Sequence, residues 1–246
     1  MCGIIGIASN KAVSTNIIES LKRLEYRGYD SAGLATLHNN QIQEKKCTGR
    51  VEKLEKILFK TPALGSVGIG HVRWATHGVP NDINAHPHSS EIVSVVHNGI
   101  IENSDKLKKD LEENGIKFKS QTDTEVITLL LTEEIKKESP IRSVQKTLKK
   151  LKGSFALGII FKSFDDLIIG ARRGSPLAVG YAKDENYLGS DSYALKSMTN
   201  KISYLDDGDV CVLTKNSVEF YNLEEKKINK KVHTLSDDKN LADKGD

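Results

Sequence analysis

Cys2 directly follows the initiator methionine. With Met1 removed, one residue would carry both a thiol and the free α-amine. A thiol of pKa ~8.5 is about 3% thiolate at pH 7, and an α-amine of pKa ~7.7–8.0 is roughly one-tenth neutral and able to take a proton. Nucleophile and general base would then share a residue, a known route to an activated nucleophile. The competing reading is a small buried residue at a strand edge.

Four further positions could serve such a nucleophile. Asn98-Gly99 ends the predicted strand Ile92–His97. As an Asn-Gly pair it reads either as a type I′ hairpin turn or as an oxyanion hole, the Asn side-chain N–H and the Gly N–H converging on one oxygen. Arg73 ends another strand, in Arg73-Trp74-Ala75-Thr76-His77-Gly78. It could clamp a carboxylate through two parallel bonds or make a surface ion pair. Trp74, the single tryptophan, suits core packing or a mobile gate. Asp123 lies within Thr122-Asp123-Thr124-Glu125, which reads as a capping box ahead of an apolar helix. Its alternative use is as acceptor for a substrate ammonium.

The histidines of Ala85-His86-Pro87-His88, with His71 and His77, lack partner cysteines or carboxylates at ligand spacing, so no metal is expected. Gly65–Gly70 departs from GxGxxG and does not sit between a strand and a helix, so no nucleotide is expected either.

The elements that must hold these residues follow from periodicity. Ile4–Ala8 predicts a buried strand, 13–25 an amphipathic helix, 33–47 a hairpin turning at Asn39-Asn40, and 50–59 a short helix. Strands are expected over Val67–Trp74 and Ile92–His97. Helices are expected from Ser104 to Asn114-Gly115, over Thr124–Lys137 and over Ile141–Leu151. Six more strands are expected: 154–161, 167–172, 177–182, 202–205, 209–214 and 217–221. Many strands with helices in two batches argue against a parallel doubly wound sheet and for two mainly antiparallel sheets covered by helices.

The 246 residues suffice for one large domain, burying about 72% of the unfolded surface. Lys and Arg number 36 against 33 Asp and Glu, a net charge of +3 without the concentrated basic footprint of a nucleic-acid binder. No apolar run approaches the ~18 residues of a membrane span. The apolar start is too short for a signal peptide and lacks a basic flank, and three widely spaced cysteines make no disulfide framework. The expected location is the cytoplasm. Residues 236–246, with four Asp and two Lys, read as a solvated linker after a domain over 2–235.

Six segments then match a known family in order and spacing. They are Cys2-Gly3-Ile4-Ile5-Gly6, Glu25-Tyr26-Arg27-Gly28-Tyr29-Asp30-Ser31-Ala32-Gly33, Arg73–Gly78, Asn84-Ala85-His86-Pro87-His88, His97-Asn98-Gly99-Ile100-Ile101-Glu102-Asn103 and Thr122–Glu125. The chain closely resembles the glutaminase domains of class II amidotransferases, and among them those of the glutamine–fructose-6-phosphate aminotransferases. The resemblance runs from Cys2 to about residue 240.

It implies an α+β fold, the four-layer αββα sandwich of N-terminal-nucleophile hydrolases. It implies that Cys2 attacks the side-chain amide of L-glutamine, that Asn98 and Gly99 form the oxyanion hole, and that Arg73 and Asp123 hold the α-carboxylate and α-ammonium. Thr76, His77 and His86 would shape the pocket under a lid over 73–80, with Trp74 and Arg27 as gating residues. No cofactor or metal is implied. The implied partner is a C-terminal sugar-isomerase domain that binds fructose 6-phosphate and receives the ammonia, in a full-length homo-oligomer.

Phosphoribosylpyrophosphate amidotransferases resemble the chain at Cys-Gly-Ile and Asn-Gly but not at 25–33 or 73–78. A stand-alone N-terminal-nucleophile amide hydrolase and a catalytically inactive assembly module are the other readings. Retention of Met1 would favour the last.

Overall fold

The computed structural model describes residues 2–75 and 78–235. Thr76, His77 and the expected linker over 236–246 lie outside the described residues. The chain order begins β1 (Gly3–Ser9), α1 (Ser14–Leu24), β2 (Ser31–His38), β3 (Gln41–Thr48), α2 (Val51–Lys60) and β4 (Val67–Arg73). It continues with β5 (His88–Ser89), β6 (Val93–Ile101), α3 (Ser104–Glu113), α4 (Asp123–Ile135) and α5 (Pro140–Lys150). Next come β7 (Gly153–Phe161), β8 (Ile168–Arg173), β9 (Ala178–Ala182), β10 (Glu185–Gly189) and α6 (Ser192–Lys196). The rest are β11 (Lys201–Tyr204), β12 (Val210–Leu213), β13 (Val218–Tyr221), β14 (Lys227–Ile228) and β15 (His233–Thr234).

Among the described residues the strands form an eight-stranded sheet, ordered β15-β11-β9-β10-β1-β4-β2-β3, and a seven-stranded sheet, ordered β14-β13-β12-β8-β7-β6-β5. Each pairing is antiparallel.

The layers follow from strand alternation. Successive residues of a strand face opposite sides. In β1, Ile5 and Ile7 join α1, α2 and α6 in one core, while Ile4 and Ala8 enter the core between the sheets. In β6, Val93 and Val95 pack under α4 and α5, while Val96 faces the first sheet. Strands buried on both faces read as near-continuous apolar runs, which is why β1 is apolar over its length. The order of layers is helices, sheet, sheet, helices. This is the expected αββα sandwich.

Two local readings are corrected. Asn98-Gly99 makes no hairpin turn: β6 runs through it to Ile101, paired with β7 from Val93↔Phe161 to Ile101↔Gly153. The Asn-Gly signal is a turn signal because glycine tolerates positive φ, and Gly99 does adopt φ +126°, but inside a strand. The hairpin turn expected at Asn39-Asn40 does form, with φ of 49° and 57°.

The capping box does not form either. The Thr122 hydroxyl makes no cap bond to the helix and instead meets Ser120 Oγ and His88 Nε2. Glu125 accepts from the backbone N–H groups of Lys119 and Ser120. Glu125 therefore ties down the loop ahead of α4.

Candidate active site

The faces set by alternation gather the chemistry. Cys2 precedes Ile4 on the side of β1 that looks between the sheets. His71 and Arg73 share the inter-sheet face of β4 with Val67 and Ile69, and Asn98 shares that of β6 with Val96. All four come to the same end of the seam, where the N-terminus of α4 brings in Asp123. One small cleft is lined by Cys2, Arg73, Trp74, His86, His97, Gly99, Thr122, Asp123 and Thr124. A larger cavity of ≈ 520 Å³ lies beyond His88, but its Glu44 pairs with Lys46 and its Asp82 with Thr48. Its described lining holds no cysteine.

Cys2 is partly exposed. Its Sγ accepts from the Trp74 N–H at 3.3 Å and lies 3.5 Å from the Trp74 carbonyl. Burial pushes the thiol above its usual range, against the Trp74 hydrogen bond. The resting group is therefore a thiol, and attack needs a base.

Asn98 donates from Nδ2 to the Cys2 carbonyl at 3.1 Å. At Gly99 a Cβ would stand 2.1 Å from the Ser154 carbonyl oxygen. Sterics and φ together restrict the position to glycine.

Arg73 is 3% exposed, which removes the surface ion-pair reading. Its Nη2 donates to the Gly78 carbonyl at 3.1 Å. Asp123 Oδ2 accepts from the Ile101 N–H at 2.8 Å, and its Oδ1 lies 3.9 Å from His97 Nδ1. It is the first residue of α4. A buried cation and a carboxylate thus face one cleft beside the thiol.

Trp74 is half exposed, against Tyr29 edge-on at 5.6 Å, and is not a core residue. Arg27 lies outside the cleft lining and pairs with Asp191 at 2.6 Å. Asp191 in turn caps α6 through the Tyr193 N–H.

Segment 25–33 underlies the loop after Arg73. Asp30 accepts from the Ala75 N–H and from Ser31 Oγ, and donates its own N–H to the Arg73 carbonyl at 3.2 Å. A Cβ at Gly28 would meet the Arg73 carbonyl at 2.5 Å. Asn84 holds the far side of that loop through the Val79 carbonyl and Gln121.

Behind the cleft His71, His86 and His88, grouped in the sequence only as rejected metal ligands, are joined by His97 in one cluster. His86 and His97 share the Thr124 hydroxyl at 2.8 and 2.9 Å. His71 stacks on His86 at 4.2 Å and 22°, and His88 meets His86 edge-on at 4.8 Å. The available signal was phase: His71 and His97 occupy core-facing positions of apolar strands.

Burial holds His71 and His88 down to about 3, and His86 well below its ordinary value. Below pH ~6.5 the unfolded chain takes up protons that the folded one refuses, so stability falls from there down to about pH 3. At pH 5 His71 and His88 each cost about 2 kcal/mol. The urea midpoint is expected to drop sharply between pH 7.5 and 5. An unchanged midpoint would contradict the buried neutral cluster.

A family model described as a glutamine amidotransferase domain matches residues 71–197. Glutamine–fructose-6-phosphate aminotransferases [isomerizing] are among the similar proteins. That of Mesorhizobium japonicum is 48% identical over the whole chain and 40% of its own length. That of Zymomonas mobilis is 50% identical over 94% of the chain and 38% of its own length. The chain thus spans about two-fifths of the length of these relatives.

Among solved structures, the glutamine phosphoribosylpyrophosphate amidotransferase of B. subtilis superposes with a TM-score of 0.79 at 24% identity. That match covers 92% of this chain and 50% of that one. A glutamine aminotransferase class-II domain protein from Silicibacter pomeroyi gives 0.64 at 13%, over 90% and 99% of the two chains. These share the chain's two-sheet αββα fold. With the family model matching more than half of its length, the chain belongs to the glutamine amidotransferase domain family.

Proposed function

We propose that the chain hydrolyses the side-chain amide of L-glutamine to glutamate and ammonia. The observation that carries this is one cleft in which a thiol, a buried guanidinium, a carboxylate and a strained glycine converge. An α-amino acid needs one cation and one anion beside the reacting carbonyl.

Once Met1 is removed, the α-amine of Cys2 takes the thiol proton as Sγ attacks the amide carbon. Asn98 Nδ2 and the Gly99 N–H receive the negative oxygen of the tetrahedral intermediate. The amine returns the proton to the departing ammonia, leaving a thioester on Cys2. Water, activated by the same amine, hydrolyses it. Arg73 holds the α-carboxylate and Asp123 the α-ammonium. Thr76, His77 and His86 complete the pocket, and Trp74 and Arg27 gate it.

In the full-length enzyme the ammonia passes to a C-terminal sugar-isomerase domain that converts fructose 6-phosphate to glucosamine 6-phosphate, in a homo-oligomer in the cytosol. Relatives at about half identity support that acceptor over phosphoribosylpyrophosphate, whose amidotransferase shares only the fold at 24%. Free thiols at Cys2, Cys47 and Cys211 suit a reducing compartment. No described helix is long and apolar enough to cross a membrane.

The test pairs N-terminal mass spectrometry with a glutaminase assay. Chain beginning at Cys2 should release glutamate and ammonia, and chain retaining Met1 should not. Equal activity in both would remove the amine from the mechanism. A thiol-reactive glutamine analogue should also label Cys2 alone. Cys211 is fully buried with its thiol pushed up to about 12, and Cys47 is 1% exposed. Equal modification of all three in peptide maps would count against a glutamine-binding Cys2.

A further inference from the structure

We infer that His71 is the positioning residue that fixes which end of the Asn98 amide faces Cys2. The inference rests on the oxyanion reading of Asn98 and deepens it. His71 Nε2 lies 3.0 Å from the His97 carbonyl oxygen and 3.0 Å from Asn98 Oδ1. A backbone carbonyl only accepts, so the nitrogen facing it must carry the hydrogen. His71 is therefore the Nε2–H tautomer, and the same N–H is shared with the Asn98 side chain. That side chain must then present its oxygen to His71. Its NH₂ is left at the opposite end, where Nδ2 reaches the Cys2 carbonyl at 3.1 Å.

The flipped amide has no comfortable state. With the Nε2–H tautomer it would set two donors against each other. With the Nδ1–H tautomer it would set the bare Nε2 against the His97 carbonyl. The chain of constraint runs from the His97 carbonyl through the His71 tautomer to the Asn98 amide. Three features keep it in one state. His71 is fully buried, its ring is stacked on His86 at 4.2 Å, and its Nδ1 has no hydrogen-bond partner among the described residues. A proton added at Nδ1 would be buried without an acceptor, in keeping with a pKa of about 3. An oxyanion donor is worth about 10²–10³ in rate only if its N–H is already aimed. A freely rotating amide would spend part of its time presenting oxygen to the developing negative charge.

The experiment compares His71→Leu, His71→Gln and Asn98→Ala in the processed chain. A Gln side-chain NH₂ can reach both acceptors that His71 Nε2–H serves, so it should rescue. His71→Leu is expected to lower kcat about 10- to 100-fold, a fraction of the full donor loss, with KM nearly unchanged. His71→Gln should stay within about 5-fold of wild type, well short of that loss. In the Asn98→Ala background, His71→Leu should cost nothing further, since the group it aims is gone. A readout independent of activity is the long-range ¹H–¹⁵N spectrum, in which His71 should remain the neutral Nε2–H form from pH 7.5 to 5.

A full additional loss on top of Asn98→Ala would overturn the proposal, as would an Nδ1–H tautomer or a His71→Gln variant as slow as Asn98→Ala. If His71→Leu fails to fold, the tautomer and the Gln variant decide. If Asn98→Ala alone leaves kcat intact, the oxyanion reading itself falls, a result distinct from failure of the His71 relay.

Discussion

Replacing Cys2 with alanine is expected to lower glutamine turnover by about 10⁵-fold or more, the scale seen when a nucleophile is deleted from an otherwise intact site. Glutamine binding, measured by calorimetry, should persist, because Arg73 and Asp123 remain in place. Cys2 is partly exposed and its one clear side-chain bond is a long contact to the Trp74 N–H. Thermal stability should therefore change by no more than about 0.5 kcal/mol. The raised thiol pKa sharpens the comparison with Cys2→Ser. A hydroxyl is harder still to deprotonate, so serine should be close to alanine in activity. Turnover by Cys2→Ala at even a hundredth of the wild-type rate would place the nucleophile elsewhere.

The second large effect is on recognition. Asp123→Asn keeps the shape and can still accept from the Ile101 N–H, the contact that Asp123 makes at 2.8 Å. Because Thr122 and Glu125 form no capping box, the substitution does not unpick the start of α4. Only the charge is lost. Hydrogen bonds to charged groups contribute about 1.5–3 kcal/mol, so KM should rise roughly 10- to 150-fold. An amide substrate lacking the α-ammonium is the diagnostic: wild type should reject it, and Asp123→Asn should discriminate far less. Arg73→Lys, which keeps charge but loses the planar fork, should weaken binding from the carboxylate side. Normal glutamine binding by Asp123→Asn would reduce Asp123 to a structural contact with β6.

These expectations were legible in the sequence to different depths. The long periodic elements were readable because both sheets are buried on both faces. The apolar face of α1 and the run of β1 leave few alternatives. The short elements were not. β10 (Glu185–Gly189) carries a charged residue and a buried Asn186, whose amide donates to the Thr214 carbonyl. Its strand character comes from its neighbours. α6 is five residues long and is started by Asp191, the same carboxylate that holds Arg27.

At the candidate site, Cys2, Arg73, Asn98, Gly99 and Asp123 could be named from residue type and position. What they rest on could not. Asn98-Gly99 read as a turn or as an oxyanion hole, and pairing with β7 removes the turn that local chemistry prefers. Asp30 and His71 act through partners more than 25 residues away along the chain, a distance at which periodicity is silent.

Cys2 owes its setting to a strand in the interior of its sheet. β1 lies between β4 and β10, and the Ile4 N–H is held by Ser190 Oγ across 186 positions of sequence. On one side β1 thus waits for a partner made more than 170 residues later, while β4 pairs with its other side sooner. Until β10 arrives, one edge of β1 is unpaired, although the residues that line the cleft all lie within 2–124. Closing so long a loop is slow because its entropy must be lost before any contact repays it. A chain stopped before residue 185 should therefore leave β1 as an edge strand, open to pairing with other chains. The topology leaves β1 an open edge until most of the described chain has been made.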